Sequence, residues 1–378
     1  MIIKEISAKK IKNSRNEDSI EITVKSDIGK SKASAPTGKS KGKYEKKYYK
    51  GNLNQVIKKI NSFDMLKGIE INKFDDLKKV EKVFDFGSNP NVALEYAILK
   101  NFKKPYMKFN SGYRKLPIPL GNVLGGGLHT KGRLKPDFQE FLVYVENCKD
   151  FVTRVKVNQA VYLYLVKNLK IKERNDEDAL VTNFSNLKVL DILKKATDEL
   201  SYKLGYGIRI GLDVAASSFF KNGKYHYKNY SFNKKKVSLD KDEQINYLVH
   251  LVKKYKIGYL EDPLHEEDFD GFKELRKKVR GCLVVGDDLT VTNFERVKRS
   301  KVDGVIVKPN QIGSLIEVKK VVEYCKLNKI KIIFSHRSGE TKEDFLSDLC
   351  YIFGGDFLKS GVYGKERVAK YSRLRKIK

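Results

Sequence analysis

The sequence predicts an α/β protein: a small α+β unit followed by a closed barrel of strands, each leading into a helix. Three observations predict it. Short apolar runs recur: Ile-Arg-Ile-Gly-Leu-Asp213, Ile-Gly-Tyr-Leu-Glu261, Cys-Leu-Val-Val-Gly-Asp287, Gly-Val-Ile-Val-Lys308, Ile-Ile-Phe-Ser-His336 and Phe-Leu-Lys359. Their last residues are spaced by 48, 26, 21, 28 and 23 positions, each enough for a strand plus a return helix. Each run ends in a charged or titratable group. A strand buried on both faces holds such groups cheaply only at its carboxyl end. In a barrel those ends converge on one mouth.

Taken in order, residues 2–12 and 19–28 alternate apolar and polar, as antiparallel strands do, with Asn-Ser-Arg-Asn-Glu-Asp as the turn between them. Residues 31–43 are polar and carry Pro36, Gly38 and Gly42, the composition of a mobile loop. Residues 53–61, 75–84 and 90–103 read as helices, the last capped by Asn89 with Pro90 at its first position. The first unit is expected to span 1–114 and the barrel 115–378, its start marked by Pro117, Pro119 and glycines 125–127. Helical patterns then recur at 152–172, 187–204, 241–255, 266–279, 314–328 and 342–352. The glycine run reads as room for close backbone packing rather than a phosphate cradle.

Composition narrows the class. The chain has 378 residues, 40% of them apolar, enough for a large core. No window approaches 18 uninterrupted apolar residues, so no membrane span is expected. The opening Met-Ile-Ile-Lys-Glu-Ile-Ser lacks an apolar signal core, and Cys148, Cys282, Cys325 and Cys350 form no CxxC pair. A cytoplasmic protein with reduced, buried cysteines is expected. The net charge of +30 raises the question of a nucleic-acid or membrane partner. Against it, the lysines number 63 and the arginines only 14, and the lysines are scattered along the chain. Readers of phosphates and bases favour the arginine fork. The charge therefore reads as a solvated surface, with no nucleic-acid partner.

Asp213, Glu261 and Asp287 facing one another repel unless a cation lies between them. Hard oxygen ligands in that number favour Mg²⁺ or Mn²⁺. Beside such an ion the charged form of Lys308 is disfavoured, so the amine can serve as a base. The pattern points to metal-assisted removal of a proton next to a carboxylate.

These residues resemble a known family, the enolases, which dehydrate 2-phosphoglycerate in glycolysis. The matching stretches are Gly-Leu-Asp213-Val-Ala-Ala-Ser, Leu-Glu261-Asp-Pro-Leu, Gly-Asp287-Asp-Leu-Thr-Val-Thr-Asn, Val-Lys308-Pro-Asn-Gln-Ile-Gly-Ser-Leu, Ser-His336-Arg337-Ser338-Gly-Glu-Thr and Leu-Lys359-Ser-Gly. Ala-Pro-Thr-Gly-Lys-Ser40-Lys-Gly, Asn-Val-Leu-Gly-Gly-Gly-Leu-His129 and Phe-Gln139-Glu140-Phe extend the match to nearly the whole chain. The resemblance implies an α+β cap on a modified barrel whose first strands are partly antiparallel. It implies Asp213, Glu261 and Asp287 as ligands of one Mg²⁺, and Ser40 as a contact of a second. It implies Lys308 as the base at C2, and Glu177 as the acid for the leaving C3 hydroxyl. It places His129, Gln139, Glu140 and His336 at the reacting end, Arg337 and Ser338 at the substrate phosphate, and Lys359 at the substrate carboxylate. It also implies a homodimer, with Ser14-Arg15 near the contact. Two ions would stabilise the dianion formed on proton removal, an arrangement for which general treatments of enzyme mechanism already cite enolase-type sites. Glu177 beside Glu140 is expected to have a raised pKa.

The chain departs from the family around the acid, where Asp178 and Ala179 replace two glycines. If those glycines need positive φ, Ala179 costs roughly 1 kcal/mol. Lys39 and Lys41 flank Ser40 where small residues are usual, and they are expected to face an anionic ligand, with Gly38 and Gly42 as hinges. Asp262 and Asp288 are expected to support the neighbouring ligands. His226, His250 and His265 lie in no motif and read as surface or packing residues. Two other readings remain: a diverged relative of low activity acting as a binding protein, and a related barrel enzyme with another acid substrate.

Overall fold

The computed structural model describes residues 1–39, 42–110, 112–113, 115–132 and 134–377. Its first elements form where the alternation is strongest. β1 (Ile3–Lys12) and β2 (Asp18–Ser26) pair antiparallel, with Ile6 opposite Val24. Ile20, Ile22 and Val24 are fully buried along one face of β2. A third strand, β3 (Lys30–Ser34), pairs with β2 where the sequence suggested loop. Its small residues explain the difference. Ala33 and Ala35 are buried, and the Ser31 hydroxyl donates to the Ala97 carbonyl, so tertiary packing rather than β propensity makes this strand.

α1 (Leu53–Asn61) falls where expected. Residues 75–84 instead hold a 3₁₀ turn, Phe74–Asp76, and a short α2 (Leu77–Glu81). α3 (Ser88–Lys100) begins two residues before Pro90, after Gly87 at φ 112°. Asn89 is therefore not its cap. The Asn89 amide donates to the Pro36 carbonyl at 3.0 Å and its oxygen accepts from Asn310 at 3.1 Å. α3 is buried on all sides from Val92 to Leu99, because it lies between the first sheet and the barrel. Within it Glu95, 1% exposed, accepts from the Leu315 amide at 2.8 Å and so ties the unit to a barrel helix.

Beyond α4 (Pro105–Lys108) come β4 (Ile118–Gly125), β5 (Glu140–Val145), α5 (Phe151–Leu169), β6 (Leu180–Val181), α6 (Asn186–Leu204) and β7 (Ile208–Asp213). A small antiparallel sheet follows, β8 (Phe220–Lys221), β9 (Lys224–Tyr227) and β10 (Val237–Leu239). Next are α7 (Lys241–Tyr255), β11 (Ile257–Glu261), α8 (Phe269–Lys278), β12 (Leu283–Gly286), α9 (Phe294–Arg299) and β13 (Gly304–Val307). The chain continues with α10 (Pro309–Ile312), α11 (Leu315–Leu327), β14 (Lys331–Ser335), α12 (Phe345–Ile352), β15 (Phe357–Gly361) and α13 (Lys365–Lys376).

The strand order β15-β14-β13-β12-β11-β7-β5-β4, closed by pairing of β15 with β4, makes an eight-stranded barrel. β5 runs antiparallel to both β4 and β7, while the other neighbours are parallel. This reversal matters for the site. β5 starts at the mouth where the others end, and it sets Glu140 directly opposite Asp213. The interior is filled by Leu120, Leu142, Tyr144, Tyr259, Val285, Ile306, Ile333 and Phe357, a packed core rather than a pore. All four cysteines are free and buried. Among the described residues no helix is long and apolar enough to cross a membrane.

The 3₁₀ turn before α2 carries a pH test. Asp76 accepts from the amides of Asn72 at 2.8 Å and Lys73 at 3.0 Å. The Asn72 bond leads the effects that lower its pKa from 3.8 to about 2. A depressed carboxylate stabilises the fold above its unfolded pKa and ceases to do so as pH falls through the folded one. Asp76→Ala should cost about 1 kcal/mol at pH 7. Urea denaturation should show the gap between variant and parent closing as pH falls from about 4 towards 2.

Candidate active site

The barrel mouth gathers the strand-end residues that the sequence singled out. Asp213 and Glu261 end β7 and β11, and Asp287, Lys308 and His336 directly follow β12, β13 and β14. Lys359 lies within β15, and Gln139 and Glu140 lie at the start of β5. His129 sits in a 3₁₀ turn after β4. All of these are nine-tenths or more buried except Lys308, whose side chain is 13% exposed.

Lys359 is the hub. Its ammonium lies 3.0 Å from Asp213, 2.8 Å from Glu261 and 3.3 Å from Glu140. Burial opposes its charge, but these carboxylates outweigh burial and hold its pKa well above the usual lysine value. Glu261, buried beside Asp213, is pushed up to about 8. Lys308 is paired with Asp287. Burial opposes the Lys308 charge too, but Asp287 outweighs burial and raises its pKa above the usual lysine value. Lys308 and Lys359 thus supply the countercharge for these carboxylates. Asp213 also accepts from Gln139 at 3.3 Å, and Asp287 accepts from Gln311 at 3.1 Å.

Asp262 supports Asp287 as expected. Held at φ 40°, it accepts from the amides of Asp287 at 2.9 Å and Asp288 at 2.7 Å. The ligand atoms of Asp262, Asp287 and Asp288 lie within 4.8 Å of one another, as do those of His129, Glu140 and Glu177. The donor set suits a hard divalent cation. Among the described residues, several buried polar atoms here have no hydrogen-bond partner: Gln139 Oε1, His129 Nδ1 and His336 Nε2. Oxygen-rich carboxylates and unpaired polar atoms directed into one mouth fit a cation together with a polar ligand.

Glu177 lies on the loop before β6, with His129 Nδ1 at 3.3 Å, His336 Nε2 at 3.5 Å and the Asn122 amide donating at 2.9 Å. Burial alone would raise its pKa, yet the histidines hold it well below the usual value, His129 foremost. His336 is kept neutral by burial, so it contributes an N–H rather than a charge. Burial and then Glu177 push Glu140 well up. These surroundings favour the protonated form at Glu140 and the charged form at Glu177, the reverse of the raised Glu177 pKa that the sequence suggested. The positive φ of the acid loop falls on Asp178 (61°), and Ala179 is free of that strain. Aspartate tolerates this region better than alanine. The glycines at 125–127 do make close approaches. A Cβ on Gly125 would meet the Asn175 amide at 2.0 Å, and one on Gly126 the Phe138 carbonyl at 2.4 Å.

Arg337 and Ser338 lie side by side with the loop that begins at Pro36. Thr37 and Gly339 exchange backbone hydrogen bonds at 2.8 Å. Arg337 contacts both oxygens of Glu45 at 2.9 Å and donates to Asn310 at 2.9 Å. Burial opposes its charge, and Glu45 more than restores it. Ser338 accepts from Arg15 at 2.6 Å and from the Lys39 amide at 2.8 Å. Gly38 and Gly42 serve as points of close approach: a Cβ on Gly38 would strike the Arg337 guanidinium at 2.0 Å, and one on Gly42 would meet Val291 at 2.7 Å. Neither is among the glycines with positive φ. Ser40 and Lys41 lie outside the described residues. Lys39 pairs with Asp176 of the acid loop at 2.8 Å. His226 bonds to Ser238 and Lys221 on the small sheet, and the His265 ring packs on Phe220. Sequence reasoning missed Asn122, Glu45 and Gln311; a lone polar residue in a strand, loop or short helix gives no periodic signal.

A closed barrel whose mouth sets buried carboxylates, two lysines and two histidines beneath an N-terminal loop defines an acid–base enzyme of the barrel class. Residues 113–378 match the family model described as enolase, C-terminal TIM barrel domain. The chain is 35% identical to the enolase of Pyrobaculum aerophilum, over 95% of this chain and 90% of that one. It is 32% identical to the enolase of Methanothermobacter thermautotrophicus, over 100% of this chain and 96% of that one. With the enolase of Archaeoglobus fulgidus the identity is 33%, over 100% and 97%. The chain belongs to the enolase family, a family of lyases.

The Lys39–Asp176 pair joins the loop to the acid segment. It is partly exposed, 35% and 18% by side chain, and so is worth at most about 1 kcal/mol. Asp176→Asn should speed tryptic cleavage after Lys39 by up to about fivefold at low salt. The difference should vanish in 1 M salt, where such pairs are screened.

Proposed function

We propose that the chain catalyses the reversible dehydration of 2-phosphoglycerate to phosphoenolpyruvate with Mg²⁺. The observation that carries this reading is the convergence of Asp213, Glu261 and Asp287 with Lys308 and Lys359 at one barrel mouth. Asp213, Glu261 and Asp287 would hold one ion, and Ser40 would reach a second. When bound, the ions supply positive charge to the substrate carboxylate, whose second negative charge develops as the C2 proton leaves.

In the proposed sequence Lys308, as the free amine, takes the C2 proton, and Lys359 sits against the carboxylate. The electron pair left at C2 forms the double bond to C3, and the C3 hydroxyl departs. Glu177, which in this reading takes a proton from neighbouring Glu140 before it acts, delivers it to that hydroxyl, so the leaving group is water. His129, Gln139 and His336 line this end. Arg337 and Ser338 receive the phosphate, which takes the place now held by the Glu45 carboxylate. The loop through Ser40 acts as a lid that excludes water. A related enzyme with another acid substrate would not need the guanidinium and serine at 337 and 338.

Four measurements test this reading. Ultraviolet detection of phosphoenolpyruvate should show activity that chelator abolishes. Glu261→Gln should weaken Mg²⁺ binding in calorimetry by more than the roughly 10–100-fold that loss of a supporting residue costs; unchanged affinity would remove Glu261 from the ligand set.

Lys308→Ala should slow exchange of the C2 proton with deuterated solvent by about 10²–10⁴-fold. Glu177→Gln should spare exchange and block water loss, since the acid acts only as the hydroxyl leaves. Equal loss of exchange in both would refute the division of roles.

The reading includes a homodimer in the cytoplasm, with the Ser14-Arg15 turn near the contact. At physiological ionic strength, where the net charge of +30 is screened, light scattering should give about twice the 43.5 kDa chain mass.

A further inference from the structure

Arg367, in the first turn of α13, is fully buried. A buried guanidinium needs a reason, and this one lies in its contacts. One terminal nitrogen donates to the Arg337 carbonyl at 2.6 Å and lies 3.2 Å from His336 Nδ1. The other donates to the carbonyls of Ser338 at 2.7 Å and Asp176 at 2.8 Å. Three segments of the site therefore hang on one side chain: the histidine, the Arg337-Ser338 backbone and the loop that carries Glu177.

The contact with His336 has a chemical consequence. A guanidinium is only a donor, so His336 Nδ1 must be the acceptor. A neutral imidazole that accepts at Nδ1 carries its proton at Nε2. That nitrogen lies 3.5 Å from Glu177 Oε2 and has no hydrogen-bond partner among the described residues. The other tautomer would set N–H against N–H at Arg367 and a lone pair against the Glu177 carboxylate. Both contacts are repulsive.

We propose that Arg367 is a positioning residue: it locks His336 as the Nε2–H tautomer, so that this histidine only donates into the space beside Glu177. With the acid loop clamped to the Arg337-Ser338 backbone, the donor is aimed at Glu177 or at a ligand oxygen between them. The role in turnover rests on the dehydratase reading above, whereas the tautomer assignment does not.

Long-range proton–nitrogen spectra of the ¹⁵N-histidine-labelled protein test it. The chain has only five histidines, and His336→Asn identifies the signal. The parent protein should show His336 protonated at Nε2 and bare at Nδ1. Arg367→Lys, which keeps a donor, should retain that tautomer. Arg367→Met should shift the population towards the Nδ1–H form. It should also lower kcat by about 10–100-fold, with KM changed less than about threefold. A proton on Nδ1 in the parent protein overturns the proposal. So does a folded Arg367→Met variant with an unchanged tautomer and unchanged kcat. If Arg367→Met does not fold, the parent and Arg367→Lys spectra decide. A parent protein with the stated tautomer but no dehydratase activity would refute the dehydratase reading alone.

Discussion

The site depends on one constraint: several carboxylates are buried in a barrel mouth and must be neutralised there. Lys359 serves Asp213, Glu261 and Glu140 at once, and Lys308 serves Asp287. In low dielectric an uncompensated buried carboxylate is very costly. Such an arrangement persists only where fixed countercharges, or a cation in their place, are always at hand. The same pressure that makes these groups expensive to bury makes them able to grip a hard ion and an anionic ligand. Stability and chemistry here draw on one set of contacts.

The barrel supplies the geometry for that neutralisation. Parallel strands deliver Asp213, Glu261, Asp287 and Lys359 to one end because side chains at strand carboxyl ends point into the mouth. The reversed β5 adds Glu140 opposite Asp213, a placement that a fully parallel barrel would not give. Support then passes outward. Asp262 fixes the Asp287 backbone, Gln311 holds the Asp287 carboxylate, and Arg367 holds the His336-Arg337-Ser338 segment. The N-terminal unit completes the mouth by laying the loop from Pro36 across Arg337 and pairing Lys39 with Asp176.

The electrostatics also bias the proton in the acid pair. Glu140 and Glu177 share one site, and the histidine and amide neighbours of Glu177 favour its charged form. Burial and the charge of Glu177 in turn favour the protonated form of Glu140.

Much of this was legible in the sequence. The βα rhythm gave the barrel, and α1, α6 and α7 match their expected spans closely because each has a clear apolar stripe and caps. The strand-end residues were legible because charge at the end of an apolar run has few cheap structural uses. What escaped depends on contacts distant in the chain. β3 is polar and forms only against α3 and β2. α13 was not among the helices expected, since its inward positions Arg367, Lys370, Tyr371 and Leu374 include two cations, buried here against the site's carbonyls and Glu340. The protonated form favoured at Glu140, the strain on Asp178 and the seat of Glu45 on Arg337 were likewise out of reach. Local pattern fixes which residues can sit at a strand end. Only tertiary structure decides which charges meet there, because Coulomb and desolvation energies depend on distances that sequence separation does not encode.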